Sequence, residues 1–286
     1  MSVFEVLLPA FVAGLILTSM LAYLGVHVVE RGVIFVDLSL AQIAALGSTV
    51  GVLFGYDFHS GAGYLFSLGF TFLGAAVFAF SRVHRKTRIP QEAIIGIAYA
   101  VAAAASILAM SKVTGETEHL KEMLVGNILS VSWGELARTA ALYVVVGAFH
   151  VVLRRKFLLI SMNEEEAERR GLSIRFWDFL FYVSFGFVVT SSVAIAGVLL
   201  VFSYLIVPAV SAMLFAERLG TRLVIGWSMG AIVSAVGVYF SFLWDLPTGA
   251  TIVTSLGGAL VLLGAVRFLM RRRATARAGV QRAAAS

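Results

Sequence analysis

The sequence predicts an all-α, polytopic integral membrane protein with about nine transmembrane helices. Of its 286 residues, 60% are hydrophobic and only 13% are charged, whereas soluble domains contain roughly 25% charged residues. Apolar runs recur along the chain, and a helix of about 20 such residues spans the hydrocarbon core of a bilayer. The runs are too long and continuous for the strands of a membrane barrel, so helices must satisfy the backbone in lipid.

The predicted spans follow one another with short polar or basic connections. They lie near residues 6–29, 34–56, 62–81, 93–111, 136–153, 176–192, 194–215, 222–243 and 249–270. The first run has no basic segment before it and no small-residue cleavage site after it, so we interpret it as a permanent span rather than a signal peptide. In the close pair at 176–215, a missed or merged hairpin would change the count by two.

The basic residues predict an orientation. With nine alternating spans, all but three of the 22 Lys and Arg fall on one side, and the exceptions are Lys112, Lys121 and Arg138. Positively charged connections mark the cytoplasmic side, so the N-terminus is predicted outside and the C-terminus inside. The net charge of +6 therefore indicates topology rather than a nucleic-acid surface. The Arg- and Ala-rich tail after Met270 is typical of a solvated or headgroup-binding extension.

Several chemistries are excluded by what the sequence lacks. Without cysteine it forms no disulfide and no Cys-ligated metal site. It contains no G-x-x-x-x-G-K-[ST] loop for phosphates. An intramembrane enzyme would need paired catalytic groups at membrane depth, and no such pair is visible. We therefore predict no cofactor and no enzymatic activity in this chain.

A short helix is predicted within residues 163–172, in the longest connection on the cytoplasmic side. Asn163 can cap it, acidic residues fill its first turn, and Gly171 follows its end. Such a helix could dock into a soluble partner or remain a solvated loop helix, and the pattern alone leaves both open.

Two prolines indicate bends or boundaries. Pro208 lies within an apolar span, where it frees a carbonyl and bends the helix, either beside a pathway or as a structural kink. Pro247 and Gly249 set a turn near the last connection, and Thr248 or Thr251 can satisfy amides where the next helix begins.

Five segments, taken in order, carry a family resemblance. They are EAIIGI at 92–97, LVGNIL at 124–129, Ala167 with Gly171, GVLL at 197–200 running to Pro208, and LPTGATIV at 246–253. With these segments the chain resembles the ABC-3 permease family, the membrane subunits of zinc, manganese and iron uptake ABC transporters. The resemblance extends from about residue 10 to 265, and five motifs in order with compatible spacing are a specific match.

The resemblance implies an architecture and a set of partners. Two copies of the permease would form a homodimer on two cytoplasmic ATPase subunits, which bind ATP and Mg, and an external binding protein would deliver a divalent metal ion or metal chelate. Residues 1–270 would be one permease domain, and 271–286 a basic cytoplasmic tail. Residues 163–172 would be the coupling helix, with the following candidates for the ATPase contact: Glu165, Glu166, Ala167, Arg170 and Gly171.

The second span departs from the family pattern. Metal-transporting members carry an Asp followed four residues later by His, a spacing that places both ligands on one helix face. Here Ala41 or Gln42 stands where the His would be, depending on the alignment. The five histidines are predicted in loops or near span ends. Candidate pathway residues are Asp37, Ser39 and Gln42, and the neutral amide of Gln42 would also suit a small polar organic substrate.

Alternatives remain open for these polar residues. Asp37 could instead lie at the cytoplasmic interface and pair with Arg31, and Gln42 could hydrogen-bond to a neighbouring helix as packing. The external segment 116–122, which is rich in Glu, could hold a metal or meet a binding protein, but its composition favours a solvated loop.

Overall fold

A computed structural model describes residues 3–57, 60–82, 90–111 and 128–284, and within these ranges the protein is helical without strands. A 3₁₀ turn, Ile128–Ser130, precedes the fifth helix. The α-helices are α1 (Val3–Arg31), α2 (Val36–Leu53), α3 (Gly61–Phe80), α4 (Gln91–Met110), α5 (Trp133–Met162), α6 (Glu164–Arg169), α7 (Ile174–Met213), α8 (Leu219–Leu243) and α9 (Thr248–Ala284). The predicted all-α class is confirmed.

Eight of these described helices are long and apolar enough to cross a membrane, and the exception is the six-residue α6. Each predicted span lies largely within one of the eight. Two differences stand out. The span predicted at 136–153 belongs to the 30-residue α5, and the close pair at 176–215 forms the single 40-residue α7.

Helix α7 reverses direction at Gly197, where φ is 74° and ψ is 161°. On its first half, Asp178 lies 2.6 Å from Arg31 of α1. On its second half, the carbonyl of Leu205 packs closely against Gly25 of α1. Positions 178 and 205 would be about 40 Å apart along a straight helix, whereas Gly25 and Arg31 are only about 9 Å apart. The two halves therefore form a helical hairpin, and within the described ranges the bundle has nine helical passes, the number that the sequence predicts.

One end of the bundle carries most of the described ion pairs, and we call it the basic end. Arg31 at the end of α1 forms an ion pair with Asp178 near the start of α7, and Arg82, which follows α3, pairs with the same carboxylate. Arg222 at the start of α8 pairs with Glu30, and the backbone N–H of Phe35, before α2, donates to Glu92 at the start of α4. Because successive helices alternate in direction, the N-terminus of α1 and the C-terminus of α9 lie at opposite ends of the bundle.

Small residues allow the central helices to approach closely. A Cβ added at Gly25 would overlap the carbonyl of Leu205, and one at Gly230 would overlap Thr18. The hydroxyl of Tyr204 on α7 hydrogen-bonds Ser234 on α8 at 2.6 Å. Close packing with interhelical hydrogen bonds is how helices associate in lipid. Helices α1, α7 and α8 therefore form the centre of the chain, whereas α9 is buried over only 11% of its apolar stretch.

Candidate functional site

The first turn of α2 buries two polar side chains without partners. Asp37 is 1% exposed and Ser39 is fully buried. Neither carboxylate oxygen of Asp37 nor the hydroxyl of Ser39 has a hydrogen-bond partner in the part of the chain that the structure describes. Burying an unpaired carboxylate is costly, so a site of this kind is adapted to a cation or another polar group that is bound only part of the time.

Gln42 lies apart from Asp37 although both belong to α2. Five residues along a helix rotate a side chain by about 140° around the axis. The amide nitrogen of Gln42 donates to the hydroxyl of Ser106 on α4 at 3.5 Å, and Ser106 itself bonds the carbonyl of Ala102. The structure therefore does not bring the three candidates of α2 to one point, and the contact of Gln42 favours packing between α2 and α4.

The alternative pairing of Asp37 with Arg31 is wrong. The Arg31 guanidinium turns to α7, where its Nη1 donates to Asp178 at 2.6 Å and its Nε donates to the hydroxyl of Ser161 at 2.8 Å. Asp37 is thus left without the basic neighbour that would have made it a structural ion pair.

Asp178 is the centre of a buried ionic network that the sequence reading missed. Its side chain is fully buried, and its second oxygen accepts a hydrogen bond from Nη1 of Arg82. Nη2 of Arg82 lies 3.0 Å from a carboxylate oxygen of Glu164, the first residue of α6. The network of Arg31, Asp178, Arg82 and Glu164 therefore ties α6 to α1, α3 and α7. The only sequence signal was an Asp four residues into an apolar helix.

Arg82 lies beyond the end of α3, outside the spans. Burial alone would lower the pKa of its guanidinium, but the carboxylates of Asp178 and Glu164 outweigh that effect and raise the pKa above its usual range. Arg82 therefore stays cationic at physiological pH. A cavity of about 240 Å³ lined by Arg31, Arg82 and Glu164 adjoins it.

Two histidines extend the polar network into the bundle. His27 on α1 bonds the hydroxyl of Ser161 through Nδ1 at 2.8 Å. His150 on α5 bonds Ser184 at 2.8 Å and Tyr23 at 3.2 Å. The prediction that histidines lie in loops or near span ends is wrong for His150, which is 1% exposed and 12 residues before the end of α5. A single histidine lowers the mean hydropathy of a long apolar run only slightly. The sequence therefore did not show that His150 lies inside the bundle.

Metal-ligating residues do not cluster in the described ranges: no group of three or more His, Asp or Glu there could hold an ion. His59, His84 and His119 lie outside the described residues, as do the external segment 116–122 and residues 124–127 of the second motif.

The predicted helix within 163–172 forms as α6. The side chain of Asn163 accepts a hydrogen bond from the backbone N–H of Glu166 at 3.1 Å, and Gly171 follows with φ of 74°. Ala167 is fully buried against Ile160 and Ile174, so it anchors α6 to the bundle and does not face outward. The candidates that remain exposed or partly exposed are Glu165, Glu166, Arg170 and Gly171.

The predicted bends lie within or beside helices. Pro208 is inside the second half of α7, and the residue of α7 with non-helical angles is Gly197. Pro247 directly precedes α9, and its carbonyl accepts from the N–H and the hydroxyl of Thr251. Gly249 is the second residue of α9. These positions shape the helices and do not contact Asp37 in any described hydrogen bond.

Taken together, the nine helical passes of the described residues and the buried polar groups inside them define a multi-spanning helical membrane protein. The chain belongs to the ABC 3 transport family, whose family model matches residues 3–267. It therefore is a membrane permease of the ABC transporter type.

Individual relatives are similar in sequence to this chain over most of their length. The manganese transport system membrane protein MntC of Listeria monocytogenes is 27% identical over 230 residues, which cover 80% of this chain and 79% of the relative. The manganese import system permease protein ScaB of Streptococcus gordonii is 23% identical over 260 residues, 91% of this chain and 90% of the relative. The solved structure of PsaBC from Streptococcus pneumoniae in complex with Fab has the same fold, with a TM-score of 0.74, 21% identity and 91% coverage of both chains.

Proposed function

We propose that this chain is the membrane-spanning subunit of an ABC importer and forms the pathway for a divalent metal ion or metal chelate. The observation that carries the proposal is Asp37, a buried carboxylate with neither oxygen bonded in the described chain. Carboxylate oxygens suit manganese, the cargo that the names of several relatives state, and the names of others state iron. Ser39, two residues on, is also buried without a described partner, but it lies about 200° around the helix axis from Asp37 and does not share its site.

The proposed assembly contains two copies of this chain in the cell membrane, an extracytoplasmic binding protein and two cytoplasmic ATPase subunits that bind ATP and Mg. The basic end of the bundle would face the cytoplasm, which follows the positive-inside tendency and places the N-terminus outside. The ATPases would dock at α6 through Glu165, Glu166, Arg170 and Gly171. The support for this docking is mechanical: Glu164 and Ala167 attach α6 to the bundle, so force applied to α6 reaches α1, α3 and α7.

The test is substrate-stimulated ATPase activity of the reconstituted complex, screened over Mn, Fe and Zn ions and their chelates. We expect one of these to stimulate hydrolysis, and we expect Asp37→Asn to abolish the stimulation because it removes the anionic oxygens while keeping the shape. Basal hydrolysis and thermal stability should not fall, since the replaced carboxylate has no described partner.

Gln42→Ala is the matched variant on the same helix. It removes the contact with Ser106, so we expect a modest loss of stability and a smaller effect on stimulation than that of Asp37→Asn. Full stimulation in Asp37→Asn would disprove the role of this residue.

A small polar organic cargo is the second candidate, favoured by the absence of the family's Asp and His pair in α2. Its signature would be stimulation by such a compound with no response to any metal ion or chelate, and that result would overturn the metal assignment while leaving the ABC architecture intact.

A further inference from the structure

A second concave site lies at the basic end, and its lining includes neither Asp37 nor any member of the Asp178 network. Its cavity of about 610 Å³ opens between the end of α7, the start of α8 and the middle of α9. Among the described residues that line it are three arginines, Arg218, Arg267 and Arg271, and one acidic side chain, that of Glu217. The lining therefore carries a positive excess, which favours an anionic ligand.

The wall of this cavity is held in place by the connection between α7 and α8. The N–H groups of Phe215 and Ala216 both donate to the carbonyl of Ala212. Nε of Arg222 donates to the carbonyl of Ala216 at 2.9 Å, and the same guanidinium pairs with Glu30 of α1. The connection is therefore preorganised, which lowers the entropic cost of binding a ligand there.

Two features at this cavity favour a hydrogen-bond acceptor as its ligand. Nε of Arg267 is buried and has no partner among the described residues, and its guanidinium lies 5.9 Å from the ring of Phe215. Helix α8 begins after Arg218 without a side-chain cap, and Thr221 of its first turn lines the cavity. The N–H groups of a helix start favour phosphate, and guanidinium groups bind phosphate oxygens in pairs.

An apolar surface continues from the same arginines. Phe268, Leu269 and Met270 are each more than half exposed, and they lie in sequence between Arg267 and Arg271 on a helix that is mostly unburied. In a membrane-spanning chain such a surface meets acyl chains. A ligand with both an anionic head and an apolar tail fits this combination better than a free anion, which would gain nothing from the apolar side.

We propose that the cavity binds the phosphate group of an anionic membrane lipid. Arg218, Arg267 and Arg271 contact the phosphate, the start of α8 donates to it, and the outer face of α9 receives an acyl chain. The proposed orientation places this end in the cytoplasmic leaflet, where anionic lipids attract basic residues. The site is independent of the cargo and of Asp37.

The test measures lipid retained by the full-length chain, extracted from vesicles of phosphatidylcholine with or without phosphatidylglycerol and analysed by native mass spectrometry. The wild type should retain phosphatidylglycerol selectively, and Arg267→Gln with Arg271→Gln should reduce retention about tenfold or more. The matched control is Arg154→Gln with Arg155→Gln. It removes the same charge from exposed positions on α5, towards the basic end of the bundle, and this variant should retain the lipid.

Three outcomes would overturn the proposal. Equal losses in the two double variants would mean that only overall charge matters. Inorganic phosphate at millimolar concentration is the alternative ligand. If it displaces the lipid and by itself slows hydrogen exchange of residues 213–222 as much as the lipid does, the cavity binds a free anion. If the double variant does not fold, hydrogen exchange of the wild type decides: residues 213–222 should exchange more slowly in phosphatidylglycerol than in phosphatidylcholine, and equal exchange would contradict the site.

Discussion

At the residue scale, Asp178 determines how the basic end is held together. It is a fully buried carboxylate that bonds Arg31 and Arg82, which belong to different parts of the chain. Each buried charge is tolerable only because its partners are present, so the loss of the central carboxylate deprives Arg31 of its described counter-charge and leaves Arg82 with Glu164 alone. This contrasts with Asp37, whose lack of a described partner indicates function rather than stability.

We expect Asp178→Asn to destabilise the protein by about 3–5 kcal/mol, the range found when one member of a buried ion pair is removed. The measurement is thermal unfolding of the purified chain in detergent. Glu166→Gln is the control, because its partner Arg170 has a side chain that is 63% exposed, and exposed pairs contribute about 0–1 kcal/mol. An unchanged midpoint in Asp178→Asn would contradict the central role of this residue.

At the element scale, the reversal of α7 depends on one glycine. The angles of Gly197, with φ of 74° and ψ of 161°, lie in a region that residues with a Cβ avoid. The reversal places Ser192 beside Tyr143 of α5, and Tyr204 beside Ser234 of α8. A single 40-residue helix could not make both sets of contacts with the same bundle.

Gly197→Ala should therefore cost about 1–3 kcal/mol of stability through backbone strain. Gly147→Ala in α5 is the matched control, because it is in a helix interior with open space around the added Cβ, and it should be neutral or stabilise by up to about 1 kcal/mol. Both variants are compared by the same thermal unfolding assay, and similar midpoints for the two would argue against strain at Gly197.

At the scale of the whole molecule, the hairpin decides the topology. A straight α7 would give eight crossings and place the connections before and after it on opposite sides. The hairpin gives nine and places both connections at the basic end, together with Arg31 and Arg222. The positions of α6 and of the lipid cavity on one side of the membrane follow from this reversal.

Single cysteines can test this topology, because the natural chain has none. Arg170→Cys, before α7, and Glu217→Cys, after it, should react with a membrane-impermeant maleimide from the same side. Trp244→Cys, between α8 and α9 and 61% exposed, should react from the opposite side. Labelling of positions 170 and 217 from opposite sides would rule out the hairpin.

Local features of the sequence were sufficient for much of this description. Hydropathy is a sum over neighbouring residues, so the spans could be predicted without knowing their partners, and the split predicted near residue 193 falls four residues from the true reversal at Gly197. The cap at Asn163 and the glycine at 171 could also be predicted, because helix ends depend on a few adjacent residues.

What only the tertiary structure decided is which polar groups meet. Arg31 could have paired with the nearby Asp37, yet it pairs with Asp178, which is 147 residues away in sequence. Ala167 faces the bundle, His150 lies inside it, and Gln42 turns away from Asp37 towards α4. Each outcome depends on the packing of helices distant in sequence, and a local pattern contains no information about it. The sequence by itself thus determined a nine-span helical membrane protein, and packing decided which of its buried charges are satisfied and which, like Asp37, are left open.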